Sequence, residues 1–397
     1  MTLRKYSAAK VSTTSKFSAS ANNFRAVARQ KVSVNIIIAG DPPPPPPPVY
    51  MWTWGRNDLG QLGQGNTTNT SSPNQVGALT TWSTFSGGNK HNVAVKTDGT
   101  MWAWGANYSG GRLGLGNTTS VSSPVQVGDL TTWASVNAGD NHTTAIKTDG
   151  TMWAWGAGGY GRLGVGDTTN RSSPVQIGAL TNWLSSAAGY QHSAAIKTNG
   201  TMWAWGNNLD GRLGLGDTTN LSSPVQVGAL TTWSNVFSGH RHTAAIKTDG
   251  TIWTWGQGFH GALGLGNNTA YSSPVQVGTL TTWLKVSAGG YYCAAIKTDG
   301  TLWTWGRNDK GQLGLGNVTY RSSPNQVGAL TNWLNLSAGY THLAAIKTDG
   351  ILWSWGNNYY GQLGLGNTTN RSSPNQVGAL TTWLSIDAGG SHIMAIG

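Results

Sequence analysis

Only 10% of the 397 residues are charged, against about a quarter in ordinary globular chains, and all 14 acids are Asp. With 57 Gly and 21 Trp, and with few Glu, Lys or Leu, the composition excludes a mainly helical protein and points to strands and tight turns. A single cysteine, Cys293, excludes an intrachain disulfide framework and a Cys-based metal site, and no run approaches the roughly 20 apolar residues of a membrane-spanning helix.

The net charge of +11 is unevenly placed. Arg4, Lys5, Lys10, Lys16, Arg25, Arg29 and Lys31 face only Asp41 within residues 1–49, so this segment carries +6 and leaves +5 for the rest. Residues 1–41 read as a basic attachment arm toward another virion or scaffold protein. A solvated tail is the blander alternative, and nucleic acid the less favoured partner. The arm lacks the apolar run of a secretory signal, but its Ser/Ala-rich, acid-poor composition also suits an organellar transit segment. Residues 22–29 suggest a short capped helix, and Val32, Val34, Ile36 and Ile38 alternate as in a strand that needs a partner. Pro42–Pro48 predicts a stiff polyproline II linker of about 22 Å.

From residue 49 onward the chain repeats. W-x-W-G begins at Trp52, Trp102, Trp153, Trp203, Trp253, Trp303 and Trp353, giving seven copies spaced by 50 residues, or by 51 where Gly110-Gly111 adds one. Every Trp falls three to a copy, the third at Trp82, Trp133, Trp183, Trp233, Trp283, Trp333 and Trp383. Each copy predicts four short strands; in the third these are 152–155, 175–177, 183–187 and 192–197. Gly-rich loops and K-T-D-G hairpin turns separate them. Four strands per 40–50 residues is the blade pattern of a β-propeller. The repeats open with the second arm of a hairpin (50–55) and end with the first arm (392–397). The two halves are expected to pair, closing a seven-bladed all-β ring over residues 49–397 and hiding two sheet edges.

The motifs W-G-x-N-x-x-G-Q-L-G-x-G, as in Trp305–Gly314, and A-G-x-x-H-x-A-A-I-K-T-D-G-x-x-W-x-W-G resemble the repeat of the regulator of chromosome condensation family across residues 50–397. The resemblance implies the seven-bladed fold. Family nucleotide exchange works through blade insertions, and none longer than one residue occurs here. Family photoreception uses G-W-R-H-T motifs, and the nearest match, Gly239-His240-Arg241-His242-Thr243, has His in place of Trp. Neither activity is expected. The arm, the prolines and the uniform blades also resemble repeat proteins encoded by marine bacteria and their phages.

The His after A/G-G-x-x (His91, His142, His192, His242, His342, His392, with Tyr292 in the fifth copy) is read as structural, since seven blades would hold ligands too far apart for one ion. W-x-W places both rings on one side of a strand, facing the next blade. Asp98 and its counterparts supply turn geometry. Cys293 reads as a small filler. No paired acids, nucleophile elbow or phosphate loop stand out, so no enzyme activity, metal or cofactor is expected.

Diversity concentrates in the three residues after W-G and the pair before the recurring His, which topology places at one end of the ring. There lie Tyr108, Tyr160, Tyr190, His240, Arg241, Phe259, His260, Tyr291, Tyr340, Tyr359 and Tyr360, side chains suited to binding loops. His240, Arg241, Phe259 and His260 form the favoured cluster. The expectation is a recognition or display protein: a virion or cell-surface propeller gripping a host protein or glycan, or alternatively an intracellular scaffold docking a protein.

Overall fold

The computed structural model describes residues 50–397 apart from Leu79. The basic arm, its expected helix and strand, and the proline linker lie outside the described residues. Twenty-eight strands form seven four-stranded antiparallel sheets, and among the described residues the only helical turns are Gly159–Gly161 and Phe259–Gly261. No described helix is long and apolar enough to cross a membrane.

A representative sheet orders Trp183–Ala188, His192–Lys197, Met202–Gly206 and Leu221–Gln226 side by side. The first strand of each sheet borders the axis, since the ends of all seven (Gly87, Ala138, Ala188, Ser238, Ala288, Ala338 and Ala388) line one shared cavity. A sequence copy counted from W-x-W therefore spans two blades. It supplies the two outer strands of one sheet and the two inner strands of the next. The ring closes as the half-hairpins require: Met51 pairs with Ile396, Thr53 with Met394 and Gly55 with His392.

The outer strand departs from expectation. It runs Arg171–Gln176 rather than starting at Val175, with Pro174 inside it. Pairing jumps from Arg171↔Gly156 to Val175↔Ala154, a bulge that absorbs the proline's missing donor. On an outermost edge that proline also blocks pairing with another chain.

Three Trp rings build each blade interface. Trp133 stands edge-on to Trp153 and Trp155, each 6.1 Å away. The two W-x-W rings do share one side, but they face the preceding blade and not the next. Trp155 packs among Val93, Val95, Met101 and Ala103, and its Nε1 donates to the Arg112 carbonyl at 2.9 Å. The hand of sheet packing decides this, and residue alternation alone cannot reveal it.

The K-T-D-G-T turns extend the packing. Asp149 Oδ1 accepts from the Thr151 amide and hydroxyl, and Thr151 Oγ1 accepts from Trp153 Nε1 at 2.9 Å. Lys147 Nζ lies 3.8 Å over the Trp153 ring. In the copy at 351 an Ile replaces the Thr, and Trp353 Nε1 is buried without a partner.

The recurring His form a buried belt. His91 Nε2 meets Thr143 Oγ1 at 3.0 Å, His142 meets Ser193 at 2.8 Å, His192 meets Thr243 at 3.0 Å, His242 meets Cys293 Sγ at 3.2 Å and His392 meets Asn92 Oδ1 at 2.6 Å. Each partner follows the belt residue of the next blade. Thr143 in turn donates to the Arg112 carbonyl at 2.9 Å. Cys293 is therefore a belt partner as well as a filler.

Candidate binding face

The strand after the belt His runs to the K-T-D-G turn, and its hairpin partner returns to W-G; Gly256 lies opposite His242. The W-G and G-x-x-H loops consequently share one end of the ring. Five blades brace the W-G loop with an Asn. Asn57 Nδ2 donates to the carbonyls of Asn66 and Thr68 at 3.1 and 3.0 Å, and its Oδ1 accepts from the Leu62 amide at 2.8 Å. Gly158 and Gly258 replace that Asn. A Cβ at Gly258 would lie 2.0 Å from the Thr269 carbonyl, so these loops collapse inward. In both loops the residue two places on is left-handed, Tyr160 with φ 64° and His260 with φ 62°, as is Ser109 in the Asn107 loop. Such backbone costs of order 1 kcal/mol or more in a non-Gly residue, and here it accompanies two displayed aromatic side chains.

Arg112 and Arg162 lie buried beneath this face. Arg112 Nη1 donates to the Asp140 carbonyl at 3.0 Å and its Nη2 to the Tyr108 carbonyl at 2.9 Å, stapling the two loop sets together. Arg162 Nε donates to the Gly159 carbonyl at 2.8 Å.

The aromatic residues fall into separate groups. One is a continuous strip across adjacent blades. Tyr190 stacks on His240 with centroids 4.0 Å apart, and His240 meets Tyr291 and Tyr340, each at 5.2 Å. Tyr291 reaches His260 at 6.0 Å, and His260 contacts Phe259 at 6.4 Å and Tyr320 at 4.9 Å. The favoured cluster is thus joined through Tyr291, which bridges His240 to His260. Burial, with Arg241 and Arg212 nearby, drops His240 to about 3, so its ring is neutral near pH 7.

Four expected residues stand apart from the strip, three of them with cations of their own. Tyr108 lies between Lys90 and Arg112, 5.9 and 4.8 Å from its ring centre, and Tyr160 lies 5.8 Å from Arg162. Tyr360 meets Tyr359 at 4.8 Å and Arg56 at 4.8 Å, across the closing seam.

Tyr320 escaped the sequence reading because its loop reads as purely structural. A signal was present within the chain. At that place Asn69, Ser120, Asn170, Asn220 and Asn370 each accept a W-G loop amide, for example Asn358 N to Asn370 Oδ1 at 2.8 Å. A Tyr there gives up that bond.

Known proteins match this chain over all its blades. The RCC1-like domain model matches residues 181–397, and the regulator of chromosome condensation (RCC1) repeat model matches 50–95, 98–146 and 149–196. The ultraviolet-B receptor UVR8 of Arabidopsis thaliana is 36% identical over 112 residues, covering 27% of this chain and 25% of the receptor. The regulator of chromosome condensation of Xenopus laevis is 36% identical over 115 residues, covering 28% of this chain and 27% of that protein. The matched stretch thus spans about a quarter of these relatives. Human WBSCR16 superposes with a TM-score of 0.79 at 20% identity, covering 88% of this chain and 98% of that one. Prp20p from Saccharomyces cerevisiae, described with its binding properties to Gsp1p and histones, also gives 0.79 at 20% identity, covering 88% and 91%. At such identity the likeness speaks for the fold alone.

Proposed function

Because the chain belongs to the regulator of chromosome condensation (RCC1) repeat family, we propose that it is a non-catalytic docking protein whose W-G and G-x-x-H loops engage a partner protein. The observation that carries this is the contrast between the two ends of the ring. One end holds a strip of aromatic rings in contact across adjacent blades. The other end spends its Lys, Asp and Thr on the same internal bonds in blade after blade. Large aromatic side chains in adjoining loops are what protein-binding faces use.

The relatives support protein docking over the narrower expectation of a virion or surface protein that grips a glycan. Prp20p is described as binding Gsp1p and histones, and another solved complex holds it with Kap60. In the docking reading, residues 1–41 with their seven basic side chains serve as an attachment or targeting arm, and residues 42–48 as its spacer.

A photo-reactive side chain placed at position 259 should cross-link a protein partner in a native extract, and one at position 249 should not; the reverse pattern would assign the wrong face. With a partner in hand, Arg241→Ala combined with Phe259→Ala should weaken binding by about 1–3 kcal/mol. Lys247→Ala is a poor control, since Lys247 lies 3.5 Å over Trp253 and its loss would loosen the blade. Asp249→Asn is the better one, because Asn199 already makes the same bonds to Thr201 in another blade.

A further inference from the structure

We infer that the aromatic strip takes an extended segment of a partner protein in which an acidic residue is followed by apolar or aromatic ones. This rests on the docking reading above and adds the chemistry of the partner.

Charge on this face is unevenly matched. Asp58 pairs with Arg56 at 2.6 Å, Asp309 with Arg307 at 2.7 Å, and Asp210 with Arg212. Asp140 accepts from Asn89 and Asn141. The acids are thus already engaged by neighbours in this chain. Arg241 is different, for its guanidinium makes no hydrogen bond or ion pair among the described residues. Arg212, its side chain 3% exposed, uses one nitrogen on Asp210 and leaves Nε and Nη1 buried without partners. His240 lies near both guanidiniums, and its Nδ1 is also buried and unpartnered. Asp210 thus matches Arg212 alone, and the Arg241 guanidinium beside the strip is left without a counter-ion among the described residues. An incoming carboxylate would answer this excess, and charge-assisted bonds of that kind are the strong ones.

The other end of the strip is open, and the charge beside His260 and Tyr320 is already matched, Arg307 by Asp309. Phe259 is 57% exposed, Tyr320 41%, and Val318 in the Tyr320 loop 59%. Tyr291 and His260 lie between this end and the Arg241 end. The order along the strip is therefore an unmatched cation, mixed aromatic rings, then exposed Phe259, Tyr320 and Val318 beside a charge that is already paired. A chain segment reading acidic then apolar matches it in that direction.

The same geometry disfavours a nucleic acid strand. Most rings of the strip meet at steep angles, 75° to 88° for Tyr291–Tyr340, His260–Tyr320 and His260–Tyr291, so they offer edges more than open platforms for bases. One unmatched arginine is also not the track of cations that a phosphate backbone requires.

The test is fluorescence anisotropy on the full chain at physiological salt. The probes are a labelled peptide alternating Glu with Phe and Leu, the same peptide with Lys for Glu or with Ser for Glu, and a single-stranded RNA. Arg241→Gln and Tyr320→Asn copy residues that other blades hold at these places, Gln191 and Asn370, so both variants should fold. Lys90→Ala removes a cation from another sector of the same face. The acidic peptide should bind, about tenfold more weakly to Arg241→Gln and several-fold more weakly to Tyr320→Asn, with Lys90→Ala within about twofold. The Lys peptide should not bind. Equal loss in Lys90→Ala and Arg241→Gln would show diffuse attraction and overturn the proposal. So would failure of the acidic peptide to bind, or RNA binding with the same dependence on Arg241. A neutral or basic peptide sensitive to Tyr320→Asn but not to Arg241→Gln would overturn the acidic partner while leaving the docking face standing. The docking face itself falls only if cross-linking at position 259 fails.

Discussion

The phenol of Tyr292 donates to the main-chain carbonyl of His342 in the next blade. In five other blades a belt His reaches the hydroxyl, thiol or amide that follows the next belt residue, while His342, facing Ile393, leaves its Nε2 without such a partner. For Tyr292 that next position is Leu343, which offers nothing, and the longer Tyr passes it to reach the backbone. The two departures are therefore coupled. Tyr292→His alone should cost about 1–3 kcal/mol by leaving a buried group unpaired, and Leu343→Thr alone should also destabilise. Together they restore the link seen at His192 and Thr243. A double-mutant cycle by urea unfolding should show at least about 1 kcal/mol of favourable coupling. Strictly additive costs would mean that the two positions are independent.

Among the described hairpin turns, the Asp–Thr–Trp relay is interrupted at Ile351, and Trp353 Nε1 is left buried without an acceptor. Ile351→Thr should supply the hydroxyl that Thr301 provides to Trp303 at 2.9 Å. The expected gain is about 0.5–1.5 kcal/mol, the net worth of a typical internal hydrogen bond. It should appear as a higher melting temperature. A lower one would show that Ile351 contributes more through packing than the missing bond takes away.

Much of this architecture was legible because it repeats. W-x-W-G counted the blades, and the half-hairpins at 50–55 and 392–397 located the closure. Other features lay beyond sequence pattern. The side to which Trp155 turns depends on the hand of sheet packing. The partner of His242 is Cys293, about fifty residues away and identifiable only once two blades lie together. The variable end of the ring was readable as a place where side chains differ, yet the way they assemble was not. His240 and His260 sit in different loops of one blade, and they are joined through Tyr291 of the next. Tyr320 was hidden because an Asn with a bracing role usually stands there, and only the lost bond reveals that the Tyr is free to turn outward.

The belt makes stability depend on pH. His142 and His392 are pushed down to about 3 and His242 and His342 to about 4, chiefly by burial, while His91 and His192 are lowered for the same reason. In the unfolded chain these imidazoles take up protons near pH 6.5. Below that value the unfolded state binds more protons than the folded one, so stability falls as pH falls. The loss begins near pH 6.5 and continues toward pH 3–4, where the folded groups themselves titrate. At pH 5.5 each belt His costs roughly 1.4 kcal/mol, which is large when several act together. Urea midpoints measured from pH 7.5 to 5 should drop steeply, and replacing His91 by Gln should flatten the slope. A midpoint constant across this range would show that the belt His are not held neutral.

Ring closure rests on one short strand, and its removal should be severe. His392–Ile396 lies between Met51–Gly55 and Ser385–Ala388, so deleting residues 392–397 abolishes two ladders at once. It also removes Ile393 and Met394, both fully buried, and Ile396, 7% exposed. Ile393 packs beside Trp54 and Trp383, while Met394 and Ile396 pack beside Trp82 and Trp104, so the interfaces on both sides of the closing blade are opened. Losing a buried Ile or Met side chain costs about 2–5 kcal/mol even when the backbone remains. Three such losses approach or exceed the total stability of a typical domain, about 5–15 kcal/mol. The exposed edges would further favour pairing between chains. The truncated chain should therefore lose its cooperative thermal transition or elute as aggregate in size-exclusion chromatography. Met394→Leu, which conserves volume, should cost less than about 1.5 kcal/mol and keep the transition. A truncated chain that stays monomeric and melts within a degree or two of the parent would show that the ring does not depend on this closure.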